Sequence, residues 1–174
     1  MKFNLKKSIA VLSNTPKTLH TLLNSLSDDW LLTNEGENTW SPYDIIGHLI
    51  HGEKTDWIVR TKIILSDDES KIFESFDRFA QEQENNGKTV QELLAEFTQL
   101  RKQNLEILAQ LQITENDFLK TGIHPELGEI NLKQLLATWT VHDLGHIAQI
   151  ARVMAKQYAT EVGPWNAYLG ILKS

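Results

Sequence analysis

Residues 131–158 read NLKQLLATWTVHDLGHIAQIARVMAKQY, and this stretch decides the fold. It contains no proline, and its apolar residues recur at spacings of three and four positions, which is the period of one face of an α-helix. Two histidines share that face with the apolar residues, and the whole set is Leu132, Leu135, Trp139, His142, His146, Ile150 and Val153. The stretch therefore predicts a long helix that buries this face in a helical bundle.

Three further helical segments are predicted upstream, over residues 4–26, 41–65 and 89–111. The second and third open with capping sequences, in which a hydroxyl residue is followed three positions later by an acidic one. Pro16 interrupts the first segment, and Thr15 is the expected N-cap of a helix that restarts at the proline.

The connecting segments are predicted to contain no strands. Residues 28–39 and 113–130 are expected to be loops. Residues 66–88 form a crossover long enough to span a bundle, with a short helical piece that packs inward three aromatic residues, Phe73, Phe76 and Phe79. A short terminal helix is expected over residues 165–172.

The bulk composition limits the fold and the function. Four main helices indicate an all-α four-helix bundle, and 174 residues fit a single domain over residues 1–174. A net charge of −6 opposes binding to nucleic acid. Cysteine is absent, so any metal must be held by nitrogen and oxygen ligands. No signal-peptide pattern or run of about 18 apolar residues occurs, so we expect no membrane partner and a cytoplasmic location.

The histidines on the buried face predict a metal site. His142 and His146 are four residues apart, so both imidazoles can reach one ion from successive turns. The alternative is a pair of core histidines whose ring nitrogens are satisfied by hydrogen bonds. A third ligand should come from the second helix, where His48 and His51 are both candidates and Gly52 leaves space for a ligand to approach.

Two stretches of the sequence resemble a known family. The pattern WSP at 40–42, GHL at 47–49 and Glu53, followed by Trp139, HDLGH at 142–146 and QI at 149–150, is similar to the DinB-like superfamily of metal-dependent helical bundles. The resemblance extends from the first helix to residues 163–165. It implies a metal site formed by His48, His142 and His146, a bundle in up-down-down-up order, and homodimers.

The resemblance and the ligand set together predict an enzyme. Three histidines leave at least one coordination position open, as in catalytic sites, and they suit Zn²⁺ or Ni²⁺. The family includes enzymes that resemble thiol-dependent transferases. We therefore expect a metal-dependent transferase or hydrolase of a small molecule, with a low-molecular-weight thiol as a candidate cosubstrate. The alternative is a non-catalytic binding or stress-response protein with a structural or vestigial metal site.

Five polar residues near the predicted site have simpler explanations. Asp143 is expected to form an ordinary salt bridge, at the surface or between helices, rather than to orient a histidine of a neighbouring helix. Glu53 and Arg60 are expected on a solvated helix face, and His124 on the surface. Gln149 lies one turn after His146, where it could line a pocket or pack at the edge of the core.

Overall fold

A computed structural model of the protein describes residues 1–77, 80 and 84–173. The chain is mostly helical, with one small hairpin, and its helices and strands are α1 Leu5–Leu23, α2 Asp28–Leu32, α3 Pro42–Thr55, α4 Trp57–Leu65, α5 Val90–Gln110, β1 Thr121–His124, β2 Gly128–Asn131 and α6 Leu132–Lys156. Short 3₁₀ turns follow at Asp117–Leu119, Gly163–Tyr168 and Gly170–Leu172. No helix in the described part of the chain is long and apolar enough to cross a membrane.

Helices α3 and α5 begin where their capping sequences predict, and α6 begins with a similar pair that was not predicted. In each, the side chain before the helix accepts from a backbone N–H in the first turn. The third residue of the helix in turn accepts from the backbone of the cap, so two donors that a helix start leaves unpaired are satisfied. The pairs are Ser41 with Asp44, Thr89 with Glu92, and Asn131 with Gln134.

Helix α1 runs without interruption through Pro16, so the predicted N-cap at Thr15 is wrong. Proline has no N–H to donate to the carbonyl four residues earlier, which here belongs to Leu12. Arg101 Nη1 of α5 donates to that carbonyl at 2.8 Å and takes the place of the missing donor. Thr15 lies inside the helix, with its hydroxyl donating to the carbonyl of Val11 at 3.3 Å.

The predicted second helix is divided in two by Asp56, whose backbone angles are φ −112° and ψ −77°. Asn104 Nδ2 on α5 donates to the carbonyl of Glu53 at 2.8 Å. A side chain that enters the hydrogen-bond ladder in this way is a recognised cause of helix kinks. The kink changes the direction of the chain at the start of α4, just before Trp57.

The connecting segments contain more structure than the sequence predicts. The region 113–130, expected to be a loop, includes strand β1 and most of the antiparallel partner β2, with Thr121 opposite Asn131. Ile72 of the crossover pairs with Ile123 of β1 in a parallel bridge. Helix α2 lies within the predicted loop 28–39.

The helical piece predicted for the crossover falls partly on residues outside those described, and Ala80 and Glu84 of this segment are helical. Phe73 and Phe76 lie in irregular backbone, and Phe73 is buried while Phe76 is partly buried. Phe79 is outside the described residues. The terminal helix expected over 165–172 is instead a pair of 3₁₀ turns.

Two apolar clusters form the core, and Arg101 contacts both. One cluster includes Phe97, the other includes Trp139, and the guanidinium carbon of Arg101 lies 4.9 Å and 5.2 Å from the centres of these two rings. Helices α1, α3, α5 and α6 pack around these clusters. The up-down-down-up order of the helices stays a prediction.

A buried ionic network joins the helices that carry the histidines. Arg101 donates from Nε and Nη2 to Glu53 Oε1 of α3, at 3.1 and 2.9 Å, and from Nη1 and Nη2 to the carboxylate of Asp143 of α6, at 2.6 and 3.0 Å. Asn104 and Trp139 donate to the remaining positions on Glu53. The predicted salt bridge of Asp143 is confirmed. The solvated position predicted for Glu53 is wrong, since only 3% of this residue is exposed.

Replacing Arg101 by alanine should lower the free energy of unfolding by about 3–5 kcal/mol, because two buried carboxylates would lose their cation. Urea denaturation of the metal-free protein measures this change. Lys102→Ala, at the exposed neighbouring position, is the matched control and should change stability by less than about 0.5 kcal/mol. A loss below about 1 kcal/mol for Arg101→Ala would show that the network does not stabilise the bundle.

Candidate metal centre

Three histidine rings meet between α3 and α6. His48 Nε2 lies 3.0 Å from His142 Nε2, which lies 3.1 Å from His146 Nε2. One ring nitrogen from each residue lies within 4.8 Å of the other two. The predicted convergence of His48, His142 and His146 is therefore present, and we call these residues the histidine triad.

A hydrogen bond sets the tautomer of His146. Its Nδ1 lies 2.8 Å from Gln149 Oε1, one turn further along α6. An amide oxygen can only accept, so Nδ1 carries the proton and Nε2 keeps its lone pair. Gln149 therefore directs the lone pair of His146 toward the other two rings, as partners of metal-binding histidines commonly do.

Burial favours the uncharged forms of His142 and His146 at neutral pH. The pKa of His142 is lowered to about 3, chiefly because the ring is buried, and further because two other imidazoles and the Arg101 guanidinium are near. Burial also lowers the pKa of His146, although the hydrogen bond to Gln149 and the charge of Asp143 oppose this shift. Neutral imidazoles are the form of histidine that binds metals.

The arrangement fits one divalent cation. Nitrogens about 2.05 Å from a tetrahedral metal lie about 3.3 Å from each other, close to the two short distances of the triad. Hydrogen bonds alone satisfy the cluster poorly, because His142 Nε2 has two ring nitrogens within 3.1 Å and, as either donor or acceptor, can form a good hydrogen bond with only one of them. His142 Nδ1 is also buried, with no hydrogen-bond partner among the described residues.

His51, the alternative third ligand, does not join the triad. Its Nδ1 lies 3.4 Å from Glu84 Oε1, and its ring contacts Phe76 with centres 4.9 Å apart. Although only three residues separate His51 from His48, its ring nitrogens are not among those that converge with His142 and His146. The choice of His48 over His51, which depended mostly on the family resemblance, agrees with the geometry.

Aromatic side chains enclose the triad. The ring centre of Trp40 lies 4.7 Å from that of His48 and 6.3 Å from that of His146. Trp57, which follows the kink, contacts His142 edge to face at 5.1 Å, and Phe76 contacts His48 at 5.4 Å. These rings restrict the access of water and lower the local polarity.

A cavity of about 500 Å³ adjoins the triad. Helices α3, α4 and α6 form its walls, and the turn of the β1–β2 hairpin forms another side. His124, the last residue of β1 before that turn, lines the cavity and is partly buried, so its predicted surface position holds only in part. This contact was not predicted from the sequence, because it depends on the β1–β2 hairpin, which was itself not predicted.

Two charged residues also line the cavity: Asp56 at the kink between α3 and α4, and Arg60 in α4. Asp56 is 8% exposed and Arg60 is 7% exposed, and they form an ion pair one helical turn apart. The solvated position predicted for Arg60 is therefore wrong. Burial raises the pKa of Asp56 to about 6, although the charges of Arg60 and His51 oppose the shift.

Comparison with known proteins places the chain in a family. The sequence model of the DinB superfamily matches residues 12–150, so the chain belongs to the DinB superfamily. The solved structure of YfiT from Bacillus subtilis, described as "a probable metal-dependent hydrolase with an unusual four-helix bundle topology", matches with a TM-score of 0.76. The two sequences are 23% identical over 90% of this chain and 89% of YfiT, which shows a shared fold. No curated protein matches the chain.

Asp56→Asn should make the metal-free protein more stable at pH 7, by up to about 3 kcal/mol. The pKa of about 6 in the folded protein exceeds the ordinary 3.8, so between these values the folded protein holds a proton that the unfolded chain has released. The contribution of Asp56 to the stability of the wild type therefore rises as the pH falls from about 6 to about 4, and the advantage of asparagine over the wild type should vanish near pH 4.

Urea denaturation in EDTA at pH 7 and pH 4 tests this expectation. The exposed Asp67→Asn is the control, and its stability should follow that of the wild type at both pH values. A variant at Asp56 that is less stable than the wild type at pH 7 would mean that the ion pair with Arg60 outweighs the cost of burying the carboxylate.

Proposed function

We propose that this chain is a metal-dependent enzyme in which the histidine triad holds one divalent ion, Zn²⁺ or Ni²⁺, and that it catalyses group transfer or hydrolysis on a small molecule. The observation that carries the proposal is the convergence of three imidazole nitrogens beside a cavity. When bound, the ion would supply Lewis-acid chemistry and lower the pKa of a water or thiol that reaches it.

The surroundings of the triad support catalysis over a closed structural site. Three protein ligands leave at least one coordination position open, whereas structural zinc sites fill four positions with side chains. His142 and His146 line the cavity, so a small molecule there would lie next to that open position. Trp40, Trp57 and Phe76 would exclude competing water, and Gln149 would keep His146 in its binding tautomer.

A small-molecule thiol is the proposed cosubstrate for a transferase reaction. The chain contains no cysteine, so a sulfur nucleophile would have to enter the cavity with such a molecule. Homodimers in solution and the up-down-down-up order of helices, both implied by the family resemblance, complete the proposal. The exposed Val141 and Leu144 on the solvent side of α6 offer apolar surface for contact between two copies.

His142→Ala should remove the metal. Purified wild type loaded with Zn²⁺ or Ni²⁺ and dialysed should hold one ion per chain by elemental analysis, and the variant should hold less than about a tenth of that, because two imidazoles bind weakly. His51→Ala, which removes a buried histidine of α3 outside the triad, is the matched control and should keep its ion. Equal metal content in both variants would place the ion elsewhere.

Metal removal should abolish turnover. EDTA-dialysed protein should lose at least about 99% of its activity toward a panel of esters and of thiols with electrophilic acceptors, and added Zn²⁺ or Ni²⁺ should restore it. Circular dichroism would check that the metal-free protein stays folded. A panel that gives no metal-linked turnover, with metal bound one ion per chain, would favour the non-catalytic alternative.

A further inference from the structure

Two arginines in the described part of the chain are buried, and their guanidinium groups are used differently. A guanidinium has two forked edges that each suit a carboxylate, one formed by Nε and Nη2 and the other by Nη1 and Nη2. Arg101 uses both edges, the first on Glu53 and the second on Asp143. Both edges of the Arg101 guanidinium are therefore paired with protein carboxylates.

Arg60 has a protein carboxylate on one edge alone. Its Nε pairs with Asp56, and its Nη2 donates to the backbone carbonyl of Glu74 at 3.4 Å. Among the described residues, none accepts a hydrogen bond from Nη1. The guanidinium also lies over the ring of Phe73, with its carbon 5.2 Å from the ring centre. Arg60 is thus held in place, while the Nη1–Nη2 edge has no carboxylate partner.

Arg60 lines the cavity that contains His142 and His146, so a ligand there can reach both the arginine and the triad. His124 lines the same cavity, and its Nδ1 accepts from the backbone N–H groups of Glu126 and Leu127. Burial and the nearby charge of Arg60 lower the pKa of His124, so its ring is neutral and its Nε2 carries the proton. The cavity therefore offers a cation and a neutral donor.

The other groups that line the cavity indicate which anion would fit. Asp56 and Glu126 are carboxylates in the same lining, so a doubly charged phosphate would meet more repulsion than a singly charged carboxylate. The apolar part of the lining includes Trp57, Ile130 and Leu135, which suit a hydrocarbon or aromatic body.

We propose that the Nη1–Nη2 edge of Arg60 binds a carboxylate of the substrate, so that the cavity takes small carboxylic acids with an apolar body. Arg60 would then fix the far end of the molecule while its reacting group lies at the triad. The inference rests on the proposed function in treating the cavity as the substrate site. The binding step itself requires no metal and is tested separately.

The test compares phenylacetate with its neutral amide, phenylacetamide, by isothermal titration or ligand-observed NMR. Full-length protein is used as purified and after EDTA dialysis, because a bound ion could itself capture a carboxylate. Wild type should prefer the carboxylate about tenfold in both preparations, in line with the strength of a charge-assisted hydrogen bond. Arg60→Gln should remove that preference and leave binding of the amide unchanged.

Three controls keep the result specific. Arg152→Gln removes a positive charge elsewhere on the chain, where Arg152 pairs with Glu35, and should keep the preference. The double variant Arg60→Gln/Asp56→Asn removes both charges of the ion pair, so no buried carboxylate is left without its cation. It should also lose the preference, and it replaces Arg60→Gln in the test if that single variant folds poorly. Arg60 also lines a second cavity of about 460 Å³. Thr138→Phe fills the first cavity and should weaken carboxylate binding, whereas Val59→Phe fills the second cavity and should leave carboxylate binding unchanged.

The proposal is overturned if wild type binds phenylacetate no more tightly than the amide, or if Arg60→Gln keeps the preference. Tighter binding of benzylphosphonate than of phenylacetate would overturn the choice of a carboxylate. A preserved, Arg60-dependent preference in a protein that binds no metal would leave this inference standing and remove the proposed function. Metal-linked turnover in a protein that shows no Arg60-dependent preference would overturn this inference and leave the proposed function standing.

Discussion

The bundle depends on the burial of one guanidinium group. Arg101 is 1% exposed, and its five N–H donors make five hydrogen bonds, to Glu53, to Asp143 and to the carbonyl of Leu12. Burying such a cation is costly unless every donor is paired, and here every donor is. These bonds connect α5 to α1, α3 and α6, so the two helices that carry the histidines share one partner. The position of the triad therefore follows from a contact in the core.

The same network determines the shape of the cavity. The carboxylate of Glu53 accepts hydrogen bonds from Arg101, Asn104 and Trp139, and Asn104 also donates to the backbone carbonyl of Glu53. The helix kinks at Asp56, and the chain continues into α4 with Trp57 against His142 and Arg60 in the cavity wall. A continuous helix would follow a different line beyond Asp56. One asparagine on α5 thus links the core to the residues that would meet a substrate.

Local sequence rules predicted the parts of the structure that local physics determines. Capping sequences predicted the starts of α3 and α5, and helical periodicity placed His142 and His146 on the buried face of α6. The same local rules missed the kink, the uninterrupted α1 and the burial of Glu53. Each of these features depends on a side chain of α5 that lies more than 45 residues from Glu53 in the chain. The β1–β2 hairpin was missed because four-residue strands are too short to show alternation.

Charge explains why a cation suits the centre of this bundle. Every hydrogen bond to Glu53 and Asp143 comes from an N–H donor, so both carboxylates act as ionised acceptors, and with Arg101 they leave one net negative charge in the core. Burial lowers the pKa of His142 and of His146 beside them, so these two imidazoles are neutral and cannot offset it. A divalent ion at the triad would gain from that excess, since screening is weak inside a protein. The network that holds the helices together therefore also makes the site electrostatically favourable for a metal.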